Sequence, residues 1–576
     1  MKSPWSFPTS PRSPNVFIER LKLIQSLNNL IYNKELQTRV GEIIREASDK
    51  TVGLQSKSSE LDFVGRDYLT RAPKKLGAVF LPKSNKGKFV LTEQGYNFIK
   101  TKHTHFILQR QIAKIQYPSP ISSRGTENLQ IIPLTTIIHI LSEVKNLSRF
   151  ETSIFIITIE DYRDIDKGIK KILNFRDNIK NIKGNIKRRK FRFETSIEQL
   201  KLFYKDEDKK LREKKGKVTT ELDFLKTKLK NHRDYADAIF RYFLGTGLFK
   251  LNKNSRLEIS EINKLDSDFL LKNIGLKPKD LKLTEEEYVI NYLGSEKSID
   301  LFSDKIENLN EKIKYLEKIS LDLNLDIEIE KIKHSFNETK SIDLKKDVII
   351  ELQNIINFKK MKNFISDLSL RKKEDYQDII KMFEQINDRE ADILDRPLFY
   401  EYNFFRAFSF IGFAVDLIPS MKFDEDTNPI NTTSNAPDLI VEYENFILVV
   451  EVTLTTGQKQ YESEGNPVFR HVGKCQKISG KKEVFGIFIS EKMDETIPVT
   501  FLTTAVVKTY IYNGRVRILP ITREQFLKLF KKIYEENLNH NYLYEFLKEF
   551  LSDEALSKYQ ELGEKVWMDD LNKKLI

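Results

Sequence analysis

A single acidic residue inside an apolar run constrains the C-terminal third of this chain more than any other feature. The run FILVV-E-VTL at 446–454 places Glu451 among side chains typical of a buried strand, where an ionised carboxylate is costly unless a positive charge compensates it. The preceding run PDLIVEY at 437–443 is also typical of a strand, and Glu444 and Asn445 predict a hairpin turn between the two runs. The sequence therefore predicts an antiparallel hairpin that carries an acid on its second strand.

Alternation along that second strand places Glu451 on the same face as Thr453. Asp438, at the start of the first strand, lies across the hairpin near the same end. Two carboxylates this close repel each other unless a divalent cation lies between them, and Mg²⁺ prefers such oxygen ligands. We therefore predict a Mg²⁺ site formed by Asp438, Glu451 and the backbone carbonyl of Val452. The alternative is structural, with Asp438 capping a turn and Glu451 facing solvent at a strand edge.

Further polar residues near this hairpin favour the metal site. Glu464 and His471 follow in YESEGNPVFRH at 461–471, close enough along the chain to fold back, and Arg470 offers a phosphate contact. Upstream, Glu401 and Arg406 lie on the aromatic helix predicted at 398–413, and Glu401 is a candidate partner of the metal. A metal held in such a site polarises a phosphate and lowers the pKa of a bound water, which is the chemistry of phosphodiester hydrolysis.

Composition limits the other classes of function. The chain has 576 residues, which predicts about two to four domains. Its one cysteine, Cys475, excludes a disulfide framework and a Cys-based zinc site, and the seven His residues lack ligand spacing. The N-terminus lacks an apolar signal segment and no run approaches a membrane span, so we expect a cytoplasmic protein without a membrane partner.

The formal net charge is +12, and the basic excess is uneven along the chain. The segment 167–193, KGIKKILNFRDNIKNIKGNIKRRKFRF, is nearly free of acids. Such a run is either the solvated face of a helix or loop, which is the favoured interpretation for the run in isolation, or a surface that contacts phosphate.

Three compositional zones divide the chain at 1–285, 286–390 and 391–576. The first mixes helical patterns with short strand-like pieces and carries the basic segment. The second is rich in Leu, Ile, Lys, Glu and Asp with heptad-like spacing, which predicts a linker of helices joined by short turns. The third alternates strands and helices after its first helix, which predicts a compact α/β domain. We therefore expect a multidomain α+β protein.

One pattern occurs twice within the first zone. At 65–100 a basic helical stretch leads to two short strands around a Lys/Gly/Asn turn, and LTEQG then opens a helix; at 231–260 a helix is followed by the strands LFKL and RLEIS around NKNS. A helix followed by a two-stranded wing is typical of a winged helix-turn-helix, which docks a helix in the major groove of DNA. Two ordinary helix-hairpin units are the competing interpretation. The candidate DNA contacts in these segments are Arg66, Arg71, Lys74, Lys75, Arg233 and Arg241.

The hairpin resembles the PD-(D/E)XK nuclease signature, with Pro437-Asp438 and then Glu451-Val452-Thr453. More specifically, the chain resembles the AlwI-type family of type IIS restriction endonucleases, which includes site-specific nicking endonucleases. The matching stretches occur in the family's order: Trp5 with SPRSP at 10–14, QIAKIQYPSP at 111–120, RDYADAIFRYFLGTGLF at 233–249, and PDLIVEYENFILVVEVTLTTG at 437–457 running on to EGNPVFRH at 464–471.

This resemblance implies a mainly helical N-terminal DNA-recognition part with winged-helix-like subdomains at 1–285, a helical linker at 286–390 and a C-terminal α/β PD-(D/E)XK nuclease domain at 391–576. It implies Mg²⁺-dependent cleavage of double-stranded DNA a few base pairs outside a short asymmetric site. By position, Asp438 and Glu451 are metal ligands, Glu464 and His471 complete the catalytic set, and Glu401 is a further acid. The recognition motifs add four candidate DNA contacts, Arg12, Ser13, Gln116 and Tyr117.

Thr453 departs from the wider superfamily, which has Lys at this position. The usual role of that Lys, holding the attacking water or the phosphate, would pass to His471, Lys459, Gln458 or a second metal. The AlwI-type relatives share the E-V-T form, so the change does not argue for an inactive enzyme.

The sequence leaves several functions open. A type IIS restriction endonuclease that cuts both strands needs two nuclease domains, supplied by a transient homodimer or by a small catalytic partner subunit. A strand-specific nicking endonuclease, or the large subunit of a heterodimeric restriction enzyme, has the same recognition and chemistry without that pairing. The chain could also be a non-catalytic DNA-binding protein, or a repair nuclease that recognises DNA structure. The intact set of acids with His471 argues against a non-catalytic protein.

Overall fold

The computed structural model describes residues 2–50, 60–83, 87–122, 124–205, 213–214, 217–218, 220–325, 341–388, 391–432, 436–480 and 482–575. The chain folds into two compact units, Met1–Gln353 and Asn354–Ile576. The boundary between the units falls inside one long helix, Ile342–Ser369. The division into zones at 1–285, 286–390 and 391–576 stays a prediction.

Helices form most of the described chain. The α-helices are α1 Pro14–Leu23, α2 Lys34–Lys50, α3 Leu61–Thr70, α4 Ala72–Lys75, α5 Glu93–Lys100, α6 Thr104–Lys114, α7 Pro133–Val144, α8 Arg149–Glu151, α9 Ile165–Lys180, α10 Asn185–Phe203, α11 Glu221–Gly245, α12 Lys264–Ile274, α13 Glu285–Glu287, α14 Ile306–Leu321, α15 Ile342–Ser369, α16 Lys373–Asn387, α17 Arg396–Ile411, α18 Gln458–Gln460, α19 Asn466–Ile478, α20 Thr496–Val506, α21 Arg523–Glu535, α22 His540–Leu551, α23 Asp553–Leu562 and α24 Glu564–Lys574. Three π-helical segments continue α8, α13 and α18, at Thr152–Ile156, Tyr288–Leu293 and Tyr461–Gly465.

Strands are short in the first unit and form a sheet in the second. They are β1 Val79–Phe80, β2 Val90–Leu91, β3 Glu213–Lys214, β4 Lys217–Val218, β5 Phe249–Leu251, β6 Leu257–Ile259, β7 Asp416–Pro419, β8 Met421–Phe423, β9 Pro429–Thr432, β10 Leu439–Glu442, β11 Phe446–Thr453, β12 Glu483–Ser490, β13 Lys508–Thr509, β14 Gly514–Arg515 and β15 Ile518–Thr522. The expected mixture of helices and strands is therefore confirmed. In the part of the chain described above, no helix has the length and apolar character that a membrane crossing requires.

The first unit begins with helices and a hairpin in a simple order. Helix α1 precedes Ile31, which pairs with Lys88 in an antiparallel bridge, and α2, α3 and α4 then lead to the hairpin β1–β2 and to α5. The predicted strand pair and the helix after it are both observed. Residues 84–86 of the predicted Lys/Gly/Asn turn lie outside the described residues.

The same order recurs later in the first unit. Helix α7 precedes Leu147, which pairs with Leu257 in an antiparallel bridge, and α8 and α11 precede the hairpin β5–β6. The predicted strands LFKL and RLEIS are observed as β5 and β6. Two further helices, α9 and α10, lie between α8 and α11 in this repeat, and this insertion was not predicted from the sequence.

The second unit is built on a five-stranded mixed sheet in the order β15-β12-β11-β10-β7. Strands β11, β12 and β15 are parallel neighbours, while β10 is antiparallel to both β11 and β7. Helix α19 packs through Val472 on the face that carries Val449, and Tyr544 of α22 contacts Phe446 on the opposite face. The central strands are buried on both sides, which explains their nearly continuous apolar sequence.

Two glycines allow α2 and α3 to cross closely. A Cβ atom on Gly65 would lie 1.9 Å from the carbonyl oxygen of Gln37, and one on Gly41 would lie 2.0 Å from that of Leu61. Both obstacles are backbone atoms, so a side chain at either glycine must push the helices apart.

Gly65→Ala is expected to lower the free energy of unfolding of the full chain's first unit by about 1–3 kcal/mol, because overpacking against backbone cannot relax by a rotamer change. Urea unfolding followed by circular dichroism measures the loss. The matched control is Glu42→Ala, an exposed position on α2, which should change stability by no more than about 0.5 kcal/mol. Equal stability of the Gly65 variant and the control would contradict the packing of this crossing.

Candidate active site

The two predicted carboxylates are neighbours at one end of the β10–β11 hairpin. The register pairs Leu439 with Val450, so Asp438, one residue earlier, lies opposite Glu451. The backbone amide of Val452 donates a hydrogen bond of 2.8 Å to Oδ2 of Asp438. The predicted turn between the strands is also observed, and Glu451 is only 7% exposed. The structure therefore brings the two predicted acids together, and their role as metal ligands stays a prediction.

His471 and Glu464 return to this hairpin from the segment that follows it. Nδ1 of His471, on α19, lies 2.6 Å from Oε1 of Glu451. The hydroxyl of Thr453 donates a hydrogen bond of 3.1 Å to Oε1 of Glu464, at the π-helical turn. Glu451 and Thr453 thus share the face that meets α19, as strand alternation predicts. Nε2 of His471 is buried and makes no hydrogen bond to any residue that the structure describes.

Glu401 joins the group from α17. Its Oε2 atom is buried and, within the described ranges, has no hydrogen-bond partner. Burial first, and then the negative charges of Asp438, Asp395, Glu451 and Glu464, raise the pKa of Glu401 to about 9. Arg406, the other charged residue predicted on this helix, pairs with Asp378 at 2.6 Å instead.

Burial and mutual repulsion oppose ionisation of the acids in this site. Burial, followed by the charge of Glu464, raises the pKa of Glu451 to about 8. Burial and then the charge of Glu451 raise the pKa of Asp438, while the hydrogen bond from Val452 lowers it by less. Burial also raises the pKa of Glu464. Burial, with the cations of α19 as lesser causes, lowers the pKa of His471, which favours a neutral imidazole.

A divalent cation fits this donor set. The acids supply hard oxygen atoms, and among the described residues no Lys or Arg side chain forms an ion pair with Asp438, Glu451 or Glu464. In the same residues no group of three or more His, Cys, Asp or Glu side chains is arranged to hold a metal ion, so a cation here would rest on fewer side-chain ligands. Mg²⁺ commonly binds through one or two carboxylates and completes its shell with water and phosphate oxygens, so the arrangement suits Mg²⁺ better than a cation that needs an all-protein cage.

The candidate replacements for the superfamily lysine are not equally placed. Gln458 donates a hydrogen bond of 3.0 Å to Glu462 and Lys459 accepts one from Ser463 through its carbonyl. Neither contact involves the clustered acids Asp438, Glu451, Glu464 and Glu401. His471 is the one candidate side chain that is hydrogen-bonded to a site acid in the described structure.

Several predicted DNA contacts in the first unit form internal ion pairs. Arg12 lies 3.0 Å from Asp234, Arg71 2.8 Å from Asp67, and Lys74 2.5 Å from Glu285. Arg241 lies 3.0 Å from Asp237.

The other predicted contacts divide by exposure. Arg66 and Arg233 are exposed, whereas Ser13 and Lys75 are half-buried. Gln116 and Tyr117 are buried: the amide of Gln116 donates to the carbonyl of Lys279, and the hydroxyl of Tyr117 donates to that of Ser6. In this structure the side chains of Gln116 and Tyr117 are therefore not presented on the surface.

One arginine near these residues was missed from the sequence. Arg149 lies 3.0 Å from the buried acid Asp237, which also contacts Arg241 and, at 3.7 Å, Arg12. Three guanidinium groups therefore converge on one carboxylate. Arg149 begins α8 far from the other members along the chain, so spacing gave no signal for it.

Clustered carboxylates beside a histidine, buried on a mixed sheet, are compatible with a hydrolase, and the family comparison gives the class. The sequence model of the AlwI restriction endonuclease family matches residues 74–529, which is most of the chain. The chain therefore belongs to the AlwI restriction endonuclease family, and the expected enzyme class, a site-specific deoxyribonuclease, is confirmed. No curated protein gives a significant match.

Three solved structures are similar to this chain at low TM-scores. The small subunit (R.BspD6I2) of the heterodimeric restriction endonuclease R.BspD6I is 26% identical, over 35% of this chain and 100% of that chain, with a TM-score of 0.29. The BpuJ1 endonuclease binding domain, in complex with pyrene- and phenanthrene-modified DNA, is 11% identical over 46% of this chain and 82% of that chain, with a TM-score of 0.28. Restriction endonuclease FokI is 12% identical over 95% of this chain and 99% of that chain, with a TM-score of 0.25.

The raised acid pKa values predict how stability depends on pH in metal-free buffer. Because the pKa of Glu451 rises from 4.5 to about 8 on folding, the folded chain binds more protons than the unfolded chain across that range. The free energy of unfolding should therefore fall as the pH rises from 4.5 to about 8. Glu451→Gln removes one ionising group, so this variant should be more stable than the wild type by roughly 1–3 kcal/mol at the upper end.

Chemical unfolding at several pH values, with a chelator present, tests this dependence. The matched control is Glu442→Gln, on the same hairpin but paired with Lys482 at 2.6 Å, which should bring no such gain. If the free energy of unfolding fell equally steeply with pH in the wild type and in the Glu451 variant, the pKa of Glu451 would not be raised by folding.

Proposed function

We propose that this chain is a type IIS restriction endonuclease, which binds a short asymmetric site in double-stranded DNA and hydrolyses phosphodiester bonds a few base pairs outside it with Mg²⁺. The observation that carries the proposal is the buried pair Asp438 and Glu451, opposite each other on one hairpin. Family membership supports the DNA substrate, and the uncompensated acids support a divalent cation.

In this proposal each side chain of the site has a distinct role. Asp438, Glu451 and the carbonyl of Val452 hold Mg²⁺, which when bound supplies Lewis-acid polarisation of the phosphate and a more acidic water. The Nδ1–H group of His471 donates a hydrogen bond to Glu451. Nε2 of the neutral imidazole is then free of hydrogen and can accept a proton from the attacking water. Thr453 orients Glu464, and Glu401, whose pKa is raised to about 9 by burial and by the neighbouring acids, adds negative charge only once a bound cation allows it to ionise.

The fold supports finer assignments that belong to the same proposal. The second unit carries the PD-(D/E)XK nuclease domain, with E-V-T in place of E-x-K, on its mixed sheet. The first unit carries two winged-helix-like subdomains, supported by the repeated order of a helix, a bridging residue, further helices and a hairpin. Arg66 and Arg233 are exposed for DNA contact, and Arg12, Arg71, Lys74 and Arg241 reach phosphates by exchanging their internal partners.

A strand-specific nicking endonuclease, or the large subunit of a heterodimeric restriction enzyme, is the second candidate. The described residues contain one set of carboxylates clustered beside a histidine in this way, so each chain cuts one strand at a time. Double-strand cleavage then requires a transient homodimer or a small catalytic partner subunit. The two candidates differ in the product that the chain makes alone.

Incubation of the purified chain with supercoiled plasmid, with and without Mg²⁺, and mapping of the cut ends tests the proposal. Linear fragments that end at a fixed offset from a shared asymmetric word would establish the restriction endonuclease. Open circles nicked at such an offset would establish the nicking enzyme or large subunit. Intact plasmid with Mg²⁺, alongside sequence-specific binding, would overturn catalysis by the chain alone, and cuts without a shared word would indicate a nuclease that recognises DNA structure.

Asp438→Ala and Glu451→Ala should each abolish cleavage, because each removes a carboxylate that holds the cation, while site-specific DNA binding by the first unit is retained. The readouts are plasmid cleavage with Mg²⁺ and gel-shift binding without it. Glu442→Ala is the control, since it removes a carboxylate from the same hairpin outside the site. Cleavage that survives both active-site changes would sink the assignment.

His471→Gln should lower kcat about 10²–10⁴-fold, because Gln can accept a hydrogen bond but not a proton. Binding of uncleaved DNA should stay within a few-fold of the wild type. Gln458→Ala is the control, since its side chain contacts Glu462 instead of the site, and it should retain most of the activity. Wild-type kcat for the His471 variant would leave the proton-accepting role without support.

A further inference from the structure

The basic segment of the sequence forms the free end of a helical hairpin. Helices α9 and α10 are joined by a short loop, and residues 180–192, defined here as the basic arm, contain seven Lys or Arg residues and no acid. The hairpin is inserted between α8 and α11, where the first repeat of the unit has no counterpart. The inserted element is therefore additional to the repeated helix-and-hairpin framework.

Packing does not account for the residues of the basic arm. The aromatic contacts of the hairpin end at Phe175 and Phe191, whose rings stack at 5.7 Å. All residues from 183 to 190 are exposed, and Ile186 is 82% exposed. The arm thus extends beyond the core, and its charged side chains are exposed except for Arg192, whose guanidinium lies 5.7 Å from the centroid of the Phe150 ring.

Local electrostatics account for only part of this charge: Lys180 pairs with Asp177 at 3.4 Å, and Nε of Arg188 donates a hydrogen bond of 2.8 Å to the carbonyl of Ile182. Helix α10 has no acid in its first turn, where Lys187 and Arg188 lie instead, and cations at a helix N-terminus oppose the helix dipole. Lys190 lies 3.8 Å from Glu194 in an exposed pair. Within the described chain, Lys183 and Lys187 form no ion pair. Lys187, in the first turn of α10, works against the helix dipole, and an external anion is the partner that would stabilise Lys183 and Lys187.

The base of the hairpin is fixed to the β5–β6 hairpin through one buried acid. Glu151, only 1% exposed, receives Arg176 of α9 at 2.7 Å and Arg256 beside β6 at 2.6 Å. Arg176 also donates to the carbonyls of Val144 and Asn146. An ion set this buried holds the inserted hairpin in a fixed position relative to the β5–β6 hairpin, which is one of the proposed wings.

We propose that the basic arm is a clamp on the DNA backbone, which contacts phosphates of the duplex next to the segment read by the second wing and contributes affinity without sequence preference. This inference rests on the proposed DNA-binding function and names a surface for it. Lys and Arg on an exposed helix end suit phosphate oxygens, and each neutralised phosphate adds about 0.9 to the dependence of log affinity on log salt.

The test compares two variants of the full chain with equal loss of charge. The arm variant is Lys183→Gln, Lys187→Gln, Arg188→Gln and Lys190→Gln together. The control variant carries Gln at four exposed lysines of the same unit, Lys297, Lys305, Lys314 and Lys318. Binding is measured without Mg²⁺, by fluorescence anisotropy, on a duplex of arbitrary sequence and on a duplex with the word found by end mapping, from about 50 to about 200 mM salt.

The arm variant should lose about 2–4 units of salt slope and weaken on both duplexes by the same factor, while its cut positions with Mg²⁺ stay unchanged. The control should keep the wild-type slope. A charge-preserving variant, Lys183→Arg, Lys187→Arg and Lys190→Arg, should bind like the wild type, and thermal unfolding checks that all variants are folded.

An unchanged slope in the arm variant, or a loss confined to the specific duplex, would overturn the clamp. Neither result would touch the proposed function, which is tested separately by plasmid cleavage and end mapping with the wild type.

Discussion

The burial of like charges on the β10–β11 hairpin is the constraint on which the second unit depends. Asp438 and Glu451 repel each other in a site that water reaches poorly, so folding must oppose that repulsion with other contacts. The amide of Val452 and the imidazole of His471 each hold one of these acids. A five-stranded sheet covered on both faces supplies the apolar burial that keeps this arrangement in place.

The first unit meets the opposite problem, because its excess charge is positive. Two buried acids there each contact several arginines. Asp237 contacts Arg12, Arg149 and Arg241. Glu151 contacts Arg176 and Arg256. Each group keeps more positive than negative charge, so the acids position guanidinium groups without neutralising the surface. A chain of net charge +12 that holds its cations in this way is suited to a polyanion.

Local patterns predicted what depends on neighbours along the chain. Period-two alternation gave the hairpin, the shared face of Glu451 and Thr453, and the strand pairs of both repeats. It could not give the burial of Gln116 and Tyr117 or the position of Arg149, because these depend on contacts between segments far apart in sequence. It also could not distinguish Glu401 from Arg406 as the helix residue at the site, since both lie in the same aromatic run.

Thr453, which stands where the proposed PD-(D/E)XK signature would carry Lys, affects the electrostatics of the site. A lysine at this buried position would lie beside Glu464 and neutralise part of the negative charge within the protein. The hydroxyl of Thr453 instead orients Glu464 and leaves its charge intact. Without an external cation the buried acids relieve their repulsion by holding protons, since the pKa values of Glu451 and Glu401 are raised to about 8 and about 9. In the proposed function the proton-accepting role is left to His471, whose Nε2 has no partner in the described structure. In the proposed function, Thr in place of Lys therefore makes the site depend more on its cation and on His471.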